Sequence, residues 1–232
     1  MAVTPRLDGL RAVVTGGSRG LGRAVVDGLC ARGASVATTA RDVAALAPLV
    51  AEHGERVHPV ALELADADSV DRAAADIVRT LGRVDLLVNN AGALGATGPL
   101  LDVDPDDVAH TVAANITGTL RLIRALRPAV PSGGAIVNVT SGAAARPGWA
   151  AYAVSKAALD AVTTVLRAEL APEGIRVIGV NPGGLRTQMR AAAYPDEDPA
   201  TVPSPESIVP VFVAIAAGDD PGEYVEARTW TR

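Results

Sequence analysis

The chain has 232 residues, of which 49% are hydrophobic, 20% charged and 3% aromatic, and its formal net charge is −5. This length supports one sizeable core and argues against a second independent domain. The acidic balance, the scattered Lys and Arg residues and the few aromatic residues disfavour nucleic acid as a partner. Because the sequence has neither a leader-like start nor a run of 18 or more apolar residues, we expect a cytoplasmic protein without a membrane span.

Seven short apolar or β-branched runs, bounded by Gly, Pro or Asp, predict strands at residues 10–15, 35–39, 57–62, 84–88, 135–139, 175–180 and 224–227. Between them, apolar residues at helical spacing predict helices at residues 21–31, 43–53, 69–81, 106–126, 152–170 and 205–217. This alternation is typical of βαβ units. The predicted fold is therefore α/β, a Rossmann-like doubly wound parallel sheet of about seven strands with helices on both faces, as a single domain over residues 1–232.

Some helix ends and one loop can also be predicted. Asp42 and Ser204 are suitable N-caps, and Pro172 with Gly174 ends the long helix before the sixth strand. The Pro- and Asp-rich residues 194–205 predict a mobile loop.

The histidines and the cysteine are not spaced like metal ligands. His53, His58 and His110 are dispersed, with no i,i+4 pair and no companion Cys cluster, so we expect solvated or edge histidines and no metal. Cys30 lies within a helical pattern, which favours a small buried apolar side chain over a reactive thiol.

The first strand is followed directly by the glycine-rich stretch TGGSRGLG, residues 15–22. Gly16, Gly20 and Gly22 read G-x-x-x-G-x-G rather than the common G-x-G-x-x-G fingerprint. Backbone N–H groups and the helix dipole converge at this strand-to-helix joint, which suits an anionic pyrophosphate. The alternative is a tight turn without a ligand.

The residues at the end of the second strand indicate whether the dinucleotide is NAD or NADP(H). An NAD site usually has a carboxylate there, whereas this chain has Ala40 and Arg41, with Arg19 in the glycine-rich stretch. Cations can form charge-assisted hydrogen bonds to a 2′-phosphate. NADP(H) is therefore the expected cofactor, and the alternative for Arg41 is a solvated residue near a helix start.

Four further stretches are informative together: NNAG at residues 89–92, Asn115 in the long crossover helix, VTS ending at Ser141, and YAVSK at residues 152–156. In this order, at predicted carboxyl ends of strands or on neighbouring helices, they resemble the short-chain dehydrogenase/reductase family along nearly the whole chain. T-G-x-x-x-G-x-G is that family's variant of the nucleotide loop. The cofactor-binding residues that we expect are Gly16, Ser18, Arg19, Gly20, Leu21, Gly22, Arg41, Glu63, Leu64, Asn90, Ala91, Gly92, Pro182, Gly183 and Thr187.

Tyr152 and Lys156 are spaced i and i+4, so one helix face brings the ammonium near the phenol. A neighbouring cation lowers a phenol pKa of about 10 by roughly 1–3 units, toward a general acid/base competent near neutral pH. The alternative is a Tyr and a Lys on a solvated helix face.

Two more catalytic candidates are Ser141 and Asn115. Ser141, at a strand end, can hydrogen-bond a substrate oxygen, although a strand-terminating Ser is also common in turns. It precedes Tyr152 by 11 positions, a little less than is common in the family, so Thr140 is an alternative. In the family, the Asn matched by Asn115 holds a helix kink and a water that connects the Lys to solvent.

The resemblance also assigns roles around the cofactor. NPGGLRT implies that Pro182, Gly183 and Thr187 meet the nicotinamide and its amide. It places Asn90 over the adenosine ribose. Gly92 would let the backbone approach the cofactor. Glu63 stands where the family usually has an Asp near the adenine, and its longer side chain could point elsewhere.

The predicted activity is an NADPH-dependent carbonyl reductase acting on a ketone or aldehyde, with Tyr152 as proton donor, Ser141 polarising the oxygen and Lys156 anchoring the ribose. The alternatives are an NADP-dependent alcohol dehydrogenase, a polyketide-type tailoring ketoreductase, or a non-catalytic NADPH-binding sensor. Residues 141–163 resemble the sepiapterin/benzil reductase branch, which acts on vicinal dicarbonyls.

The resemblance also implies a pocket, a lid and partners. Leu94, Trp149 and Tyr194 are the candidate walls of an apolar substrate pocket, and residues 189–203 the substrate-covering loop. A plain surface loop is the alternative. The family implies a homodimer or homotetramer through the helices at residues 106–126 and 152–170. The small-molecule carbonyl substrate is the other expected partner.

Overall fold

The computed structural model of the chain describes residues 5–231 and contains one seven-stranded parallel sheet. The strands are β1 (Arg11–Val14), β2 (Ser35–Ala40), β3 (Val57–Ala61), β4 (Leu86–Asn89), β5 (Ala135–Val139), β6 (Arg176–Asn181) and β7 (Tyr224–Glu226). Their spatial order is β3-β2-β1-β4-β5-β6-β7, and each neighbouring pair is parallel. The predicted strands and the doubly wound fold are confirmed.

The helices are α1 (Gly20–Cys30), α2 (Ala47–His53), α3 (Ala67–Leu81), α4 (Pro105–Val112), α5 (Thr119–Leu126), α6 (Ala150–Leu170), α7 (Gln188–Ala193) and α8 (Val209–Ala216). A π-helical stretch, Ala113–Gly118, joins α4 to α5, so the helix predicted at residues 106–126 is one body with a bulge in it. Helix α7 lies inside the residues predicted as a covering loop.

The helices cover both faces of the sheet, which explains why its central strands are mainly apolar. Val13, Val14, Leu86, Leu87 and Val88 are all fully buried. One hydrophobic cluster packs α1, α2 and α8 on one face, and a second packs α3, α5 and the end of α6 on the other. The strand order reverses between β1 and β4, so the carboxyl ends of β1 and β4 form the crevice where doubly wound folds bind ligands.

The predicted helix ends are partly confirmed. Asp42 accepts a hydrogen bond from the Ala44 N–H and begins a 3₁₀ turn before α2. Gly174 adopts a left-handed conformation after Pro172, which ends the α6 segment as predicted. Ser204 occupies an N-cap position, but its side chain makes no capping hydrogen bond there.

The structure corrects the expectation for one histidine. His53 is not solvated: its side chain is only 10% exposed and bonds Asp27 through Nε2 at 2.8 Å. His53, Asp27 and Glu52 offer ligand atoms within 4.8 Å of one another. Arg23 makes ion pairs with both carboxylates, which balances their charge. Cys30 is buried as predicted, and burial raises the pKa of its thiol to about 12.

One segment has the length and apolar character of a membrane span. Pro199–Ala216 covers 18 residues with a mean hydropathy of 1.2. The segment is made of short 3₁₀ turns followed by α8. In α8, Val211, Phe212 and Ile215 lie in the hydrophobic core.

Candidate active site

One large cavity lies at the carboxyl edge of the sheet and has a volume of about 960 Å³, which is the size of a cofactor site. It extends from the glycine loop, residues 15–22, to Tyr152 and Trp149 on and before α6. The predicted site residues that line it are Gly16, Ser18, Arg19, Gly20, Leu21, Arg41, Glu63, Leu64, Asn90, Ala91, Gly92, Leu94, Ser141, Trp149, Tyr152, Lys156, Pro182, Gly183, Thr187 and Tyr194. Gly22 and Asn115 lie behind its wall.

The glycine loop turns tightly into α1. Gly16 and Gly20 have φ angles of +73° and +57°, which glycine adopts without strain. A Cβ on Gly22 would overlap the carbonyl oxygen of Gly16, so Gly22 permits the close packing of the loop on the helix rather than lining the cavity. Since α1 has 11 residues and a buried apolar face, its N-terminal N–H groups are held at the cavity.

The NNAG stretch is fastened to this loop through Thr15, a residue that the sequence interpretation missed. The Thr15 hydroxyl accepts hydrogen bonds from the Asn90 and Ala91 N–H groups at 3.0 and 2.9 Å. Asn90 in turn donates from Nδ2 to the Thr15 carbonyl at 2.8 Å. Thr15 is the first residue of the T-G-x-x-x-G-x-G pattern, so this pattern was sufficient to predict Thr15 as a site residue.

At the end of the cavity beside β2, Arg41 is a cation without a partner among the described residues. Arg41 is exposed at the cavity rim, and within residues 5–231 its side chain makes no hydrogen bond or ion pair. Arg19 instead donates to Gln188 on α7. The Glu63 carboxylate lines the cavity and accepts a hydrogen bond from the Ala65 N–H at 3.2 Å.

Asn115 lies in the π-helical stretch and fixes the loop after β4. Its Oδ1 accepts from the Ala93 N–H at 2.7 Å, and its Nδ2 donates to the Ala93 carbonyl and the Ser155 hydroxyl, each at 2.9 Å. A Cβ on Gly92 would lie 2.9 Å from Asn115 Oδ1. Gly92 therefore makes room for the Asn115 side chain, and the helix irregularity expected at Asn115 is present.

Tyr152 and Lys156 face the cavity from the same side of α6, and both are enclosed. Tyr152 is 8% exposed and Lys156 4% exposed. The Lys156 Nζ lies 5.7 Å from the centre of the Tyr152 ring and donates to the Val139 carbonyl at 2.8 Å. Burial lowers the pKa of Lys156 to about 8, because removing the ammonium from water disfavours its charge.

The expectation that Lys156 lowers the pKa of Tyr152 is wrong for the chain alone. Burial raises the pKa of Tyr152, and its contact with the Ser141 hydroxyl offsets this only in part. Burial is the larger of these two effects and decides the direction of the pKa shift. Tyr152 is consequently held in its protonated form.

Thr140 and Ser141 both line the cavity, and the Ser141 hydroxyl is the one that contacts Tyr152. The Thr140 hydroxyl is paired with the Tyr224 hydroxyl at 2.9 Å on the β7 side. The short connection from Ser141 to Tyr152 is closed by two alanines in the left-handed region, Ala145 at φ 56° and Ala150 at φ 40°. Such backbone conformations store strain next to functional residues.

The outer end of the cavity has an aromatic wall. The Trp149 ring centre lies 5.9 Å from that of Tyr152 and 5.6 Å from that of Tyr194. The Arg190 guanidinium stacks 3.7 Å from the Tyr194 ring centre and makes a bidentate ion pair with Glu197 at 2.7 Å. Met189 and Arg190, which lie in the predicted substrate-covering loop, also line the cavity, and Arg146 lines it without having been predicted.

Comparison with known proteins identifies the family. The model for short chain dehydrogenases matches residues 11–198. The chain belongs to the short-chain dehydrogenase/reductase family.

Individual relatives of this short-chain dehydrogenase agree. Oxidoreductase BOA17 of Botryotinia fuckeliana is 38% identical over 179 residues, which cover 75% of this chain and 65% of that protein. The chain thus spans less than two thirds of this relative. L-xylulose reductase of Bos taurus is 37% identical over 200 residues, covering 84% of this chain and 80% of the relative.

A solved structure is similar over nearly the whole chain. It is a short-chain dehydrogenase from Shigella flexneri complexed with NADP, with a TM-score of 0.86, 31% identity and coverage of 93% of this chain and 94% of that one. The cavity of the chain described here suits a dinucleotide phosphate group. The α1 N-terminus is open to the cavity, and Gly22 lets the glycine loop pack close to α1. Arg41 has no protein partner within the described residues.

Proposed function

We propose that the protein is an NADPH-dependent carbonyl reductase, which reduces a ketone or aldehyde to an alcohol. The observation that carries the proposal is the convergence of Ser141, Tyr152 and Lys156 in the same cavity that holds the glycine loop and Arg41 at its other end. In this arrangement, two hydroxyl groups and an ammonium would act on a hydride acceptor that lies beside a bound dinucleotide.

NADP(H) is the cofactor in this proposal. Arg41, which has no hydrogen-bond or ion-pair partner within residues 5–231, supplies a guanidinium after β2, and Ala40 stands beside it in place of a carboxylate. A guanidinium binds a phosphate by charge-assisted, often bidentate hydrogen bonds. The Shigella flexneri relative complexed with NADP supports the same choice. When bound, NADPH supplies the hydride.

The chain's own residues supply the proton and the orientation. The Ser141 hydroxyl donates a hydrogen bond to the carbonyl oxygen and polarises it. The Tyr152 hydroxyl transfers its proton to that oxygen as alkoxide charge develops. Tyr152 is protonated at neutral pH, as a proton donor must be, and the developing alkoxide is a strong enough base to take that proton although burial raises the Tyr152 pKa. The Lys156 ammonium, 5.7 Å from the centre of the Tyr152 ring, anchors the ribose of the cofactor.

The aromatic wall indicates the kind of substrate. Trp149 and Tyr194 present flat rings, and Leu94 adds an apolar side chain to the same cavity. A carbonyl compound with a flat apolar substituent fits these surfaces. Vicinal dicarbonyls, suggested by the resemblance of residues 141–163 to sepiapterin/benzil reductases, and cyclic ketones are the two substrate sets to compare.

A homodimer or homotetramer is the proposed assembly. Leu120 on α5 and Val154 and Val165 on α6 are 37%, 47% and 52% exposed, so the two helices present apolar side chains to the outside. Burying such side chains against a second copy would remove apolar area from water.

The test is a reductase assay on Tyr152→Phe. We expect kcat with NADPH and either substrate set to fall at least about 100-fold, the usual contribution of a general acid, while NADPH binding measured by calorimetry is retained. Tyr194→Phe is the matched variant that loses a phenol hydroxyl at the pocket wall, and it should keep most of its kcat. Full turnover by Tyr152→Phe would overturn the proposed mechanism.

A further inference from the structure

Asn181, the last residue of β6, connects two loops of the site. Its Oδ1 accepts hydrogen bonds from the Gly142 N–H and the Gly183 N–H, both at 3.0 Å. Gly142 directly follows Ser141, and Gly183 follows Pro182 on the loop that lines the other side of the cavity. A single amide oxygen therefore holds both loops.

The other end of this amide is fixed by Glu226 on β7. Asn181 Nδ2 donates to both carboxylate oxygens of Glu226, at 3.1 and 2.9 Å. The two residues are opposite each other in the sheet register, and Asn181 is only 7% exposed. Since an ionised carboxylate accepts hydrogen bonds and cannot donate them, Glu226 directs the amide oxygen toward the two glycines.

We propose that Asn181 and Glu226 are a positioning pair that sets the distance between the Ser141 loop and the Pro182–Gly183 loop. The inference rests on the proposed function, in which Ser141 orients the carbonyl and the second loop faces the hydride donor. Neither residue of the pair touches the reacting atoms. The pair acts by holding the two loops at one separation.

Both loops need such a restraint. Each is held at a glycine, which by itself restricts the backbone least, and Gly183 has a φ of +67°. The Arg228 side chain packs over Gly183 and limits its movement on the outer side. A displacement of about 1 Å between reacting groups can lower a rate roughly 100-fold. Loss of the shared acceptor should therefore affect kcat more than cofactor binding.

The charge around the pair defines a sharp variant. Asp160 on α6 and Tyr224 on β7 lie near Glu226; burial raises the pKa of both groups, and the negative charge of Glu226 raises it further. Asn181→Asp would add a second carboxylate facing Glu226, and two adjacent carboxylates share one proton. When that proton is bound, the Asp hydroxyl can donate to Glu226 and its carbonyl can accept from the glycines, so the variant should regain activity as pH falls.

The experiment compares Asn181→Asp with the double variant Asn181→Asp/Glu226→Gln. We expect kcat of the single variant to be lower by up to roughly 100-fold at pH 8 and to recover toward pH 6, with KM for NADPH nearly unchanged. In the double variant, the Gln amide donates to the Asp carboxylate, which still accepts from both glycines. It should restore kcat and remove the added pH dependence.

Hydrogen exchange of the peptides around Gly142 and Gly183 gives a readout that needs no turnover. Both should exchange faster in the single variant and regain protection in the double variant. An unchanged kcat and unchanged exchange in Asn181→Asp, or a double variant no better than the single one, would overturn the proposal. If Asn181→Asp does not fold, hydrogen exchange of the same peptides is measured in Glu226→Gln alone. This variant keeps Asn181 and weakens only the hydrogen bonds from its amide to residue 226.

The outcome is separable from that of the proposed function. Wild type and Tyr152→Phe are assayed beside these variants. An inactive wild type would contradict the carbonyl reductase proposal, whereas the exchange data would still decide for or against the positioning pair.

Discussion

Lys156 is the only lysine in the sequence, and every other basic residue except the histidines is arginine. It is also buried, which lowers its pKa to about 8 from an ordinary value of 10.5. Between those two pH values the folded chain binds fewer protons at this site than the unfolded chain. The contribution of Lys156 to the unfolding free energy therefore increases as the pH rises from about 8 to 10.5.

We predict that the stability of Lys156→Met relative to wild type depends on pH in this direction. Between pH 7 and pH 10 the wild type should gain roughly 2 to 3 kcal/mol over the variant, because only the wild type sheds a buried charge. Urea unfolding of both proteins at the two pH values measures it. The lost bond to the Val139 carbonyl is a constant offset.

A direct measurement uses the single lysine. Protein labelled with ¹³C-lysine should give one side-chain signal that titrates near pH 8. A titration near 10.5, or a stability difference that does not change with pH, would show that Lys156 is better solvated than the structure indicates.

The spacing of Tyr152 and Lys156 was sufficient to predict that they share a helix face, but not the direction of the Tyr152 pKa. That direction depends on how deeply the phenol is buried. The phenol is buried by Trp149 and by the surrounding loops, and these loops are irregular or distant from Tyr152 in the sequence. Asn181 was not predicted either, since its two glycine partners come from different loops.

Among the elements, the bulge between α4 and α5 shows most clearly what periodicity cannot predict. Residues 106–126 have helical spacing throughout, yet Ala113–Gly118 is π-helical. The stretch brings Asn115 to Ala93 and Gly118 against the Leu64 carbonyl, both long-range contacts. Helix α7 was missed for a similar reason, since its six residues begin at the Thr187 cap within a Pro- and Ala-rich segment.

Gly118→Ala tests this packing. An added Cβ would overlap the Leu64 carbonyl oxygen and lie 3.2 Å from the Ala113 carbonyl, so we expect a loss of about 1–3 kcal/mol in unfolding free energy. Because Leu64 lines the cavity, NADPH affinity should also fall. Chemical unfolding and calorimetry measure the two effects.

Thr117→Ala is the matched control, since Thr117 is the exposed neighbour on the same stretch. It should change stability by no more than about 0.5 kcal/mol. If Gly118→Ala behaved like this control, the π-helical stretch would not pack against the Leu64 segment as described.

At the scale of the molecule, the fold was the most predictable property. Buried parallel strands give short apolar runs, and their alternation with helical periods leaves few possible topologies. The glycine loop and Arg41 then indicate the proposed cofactor end, because phosphate recognition depends on local backbone and charge. The substrate end is assembled from Trp149, α7 and the Ser141 loop, so its shape follows only from the tertiary structure.

The whole molecule should therefore respond to NADPH more than to NADH. At a free NADPH concentration of 100 times Kd, binding stabilises the fold by about 2.7 kcal/mol, and for a chain of this length that raises Tm by roughly 5–10 °C. Arg41→Ala removes charge-assisted hydrogen bonds worth about 1.5–3 kcal/mol, so at the same concentration it should lose most of the NADPH shift and retain the smaller NADH shift.

Arg79→Ala is the control, because Arg79 is an exposed cation on α3 paired with Asp76. Thermal unfolding of the wild type and the two variants, each with NADPH and with NADH, measures these shifts. Equal shifts for NADPH and NADH in the wild type would mean that Arg41 does not read the 2′-phosphate, and the cofactor preference would have to be reassigned.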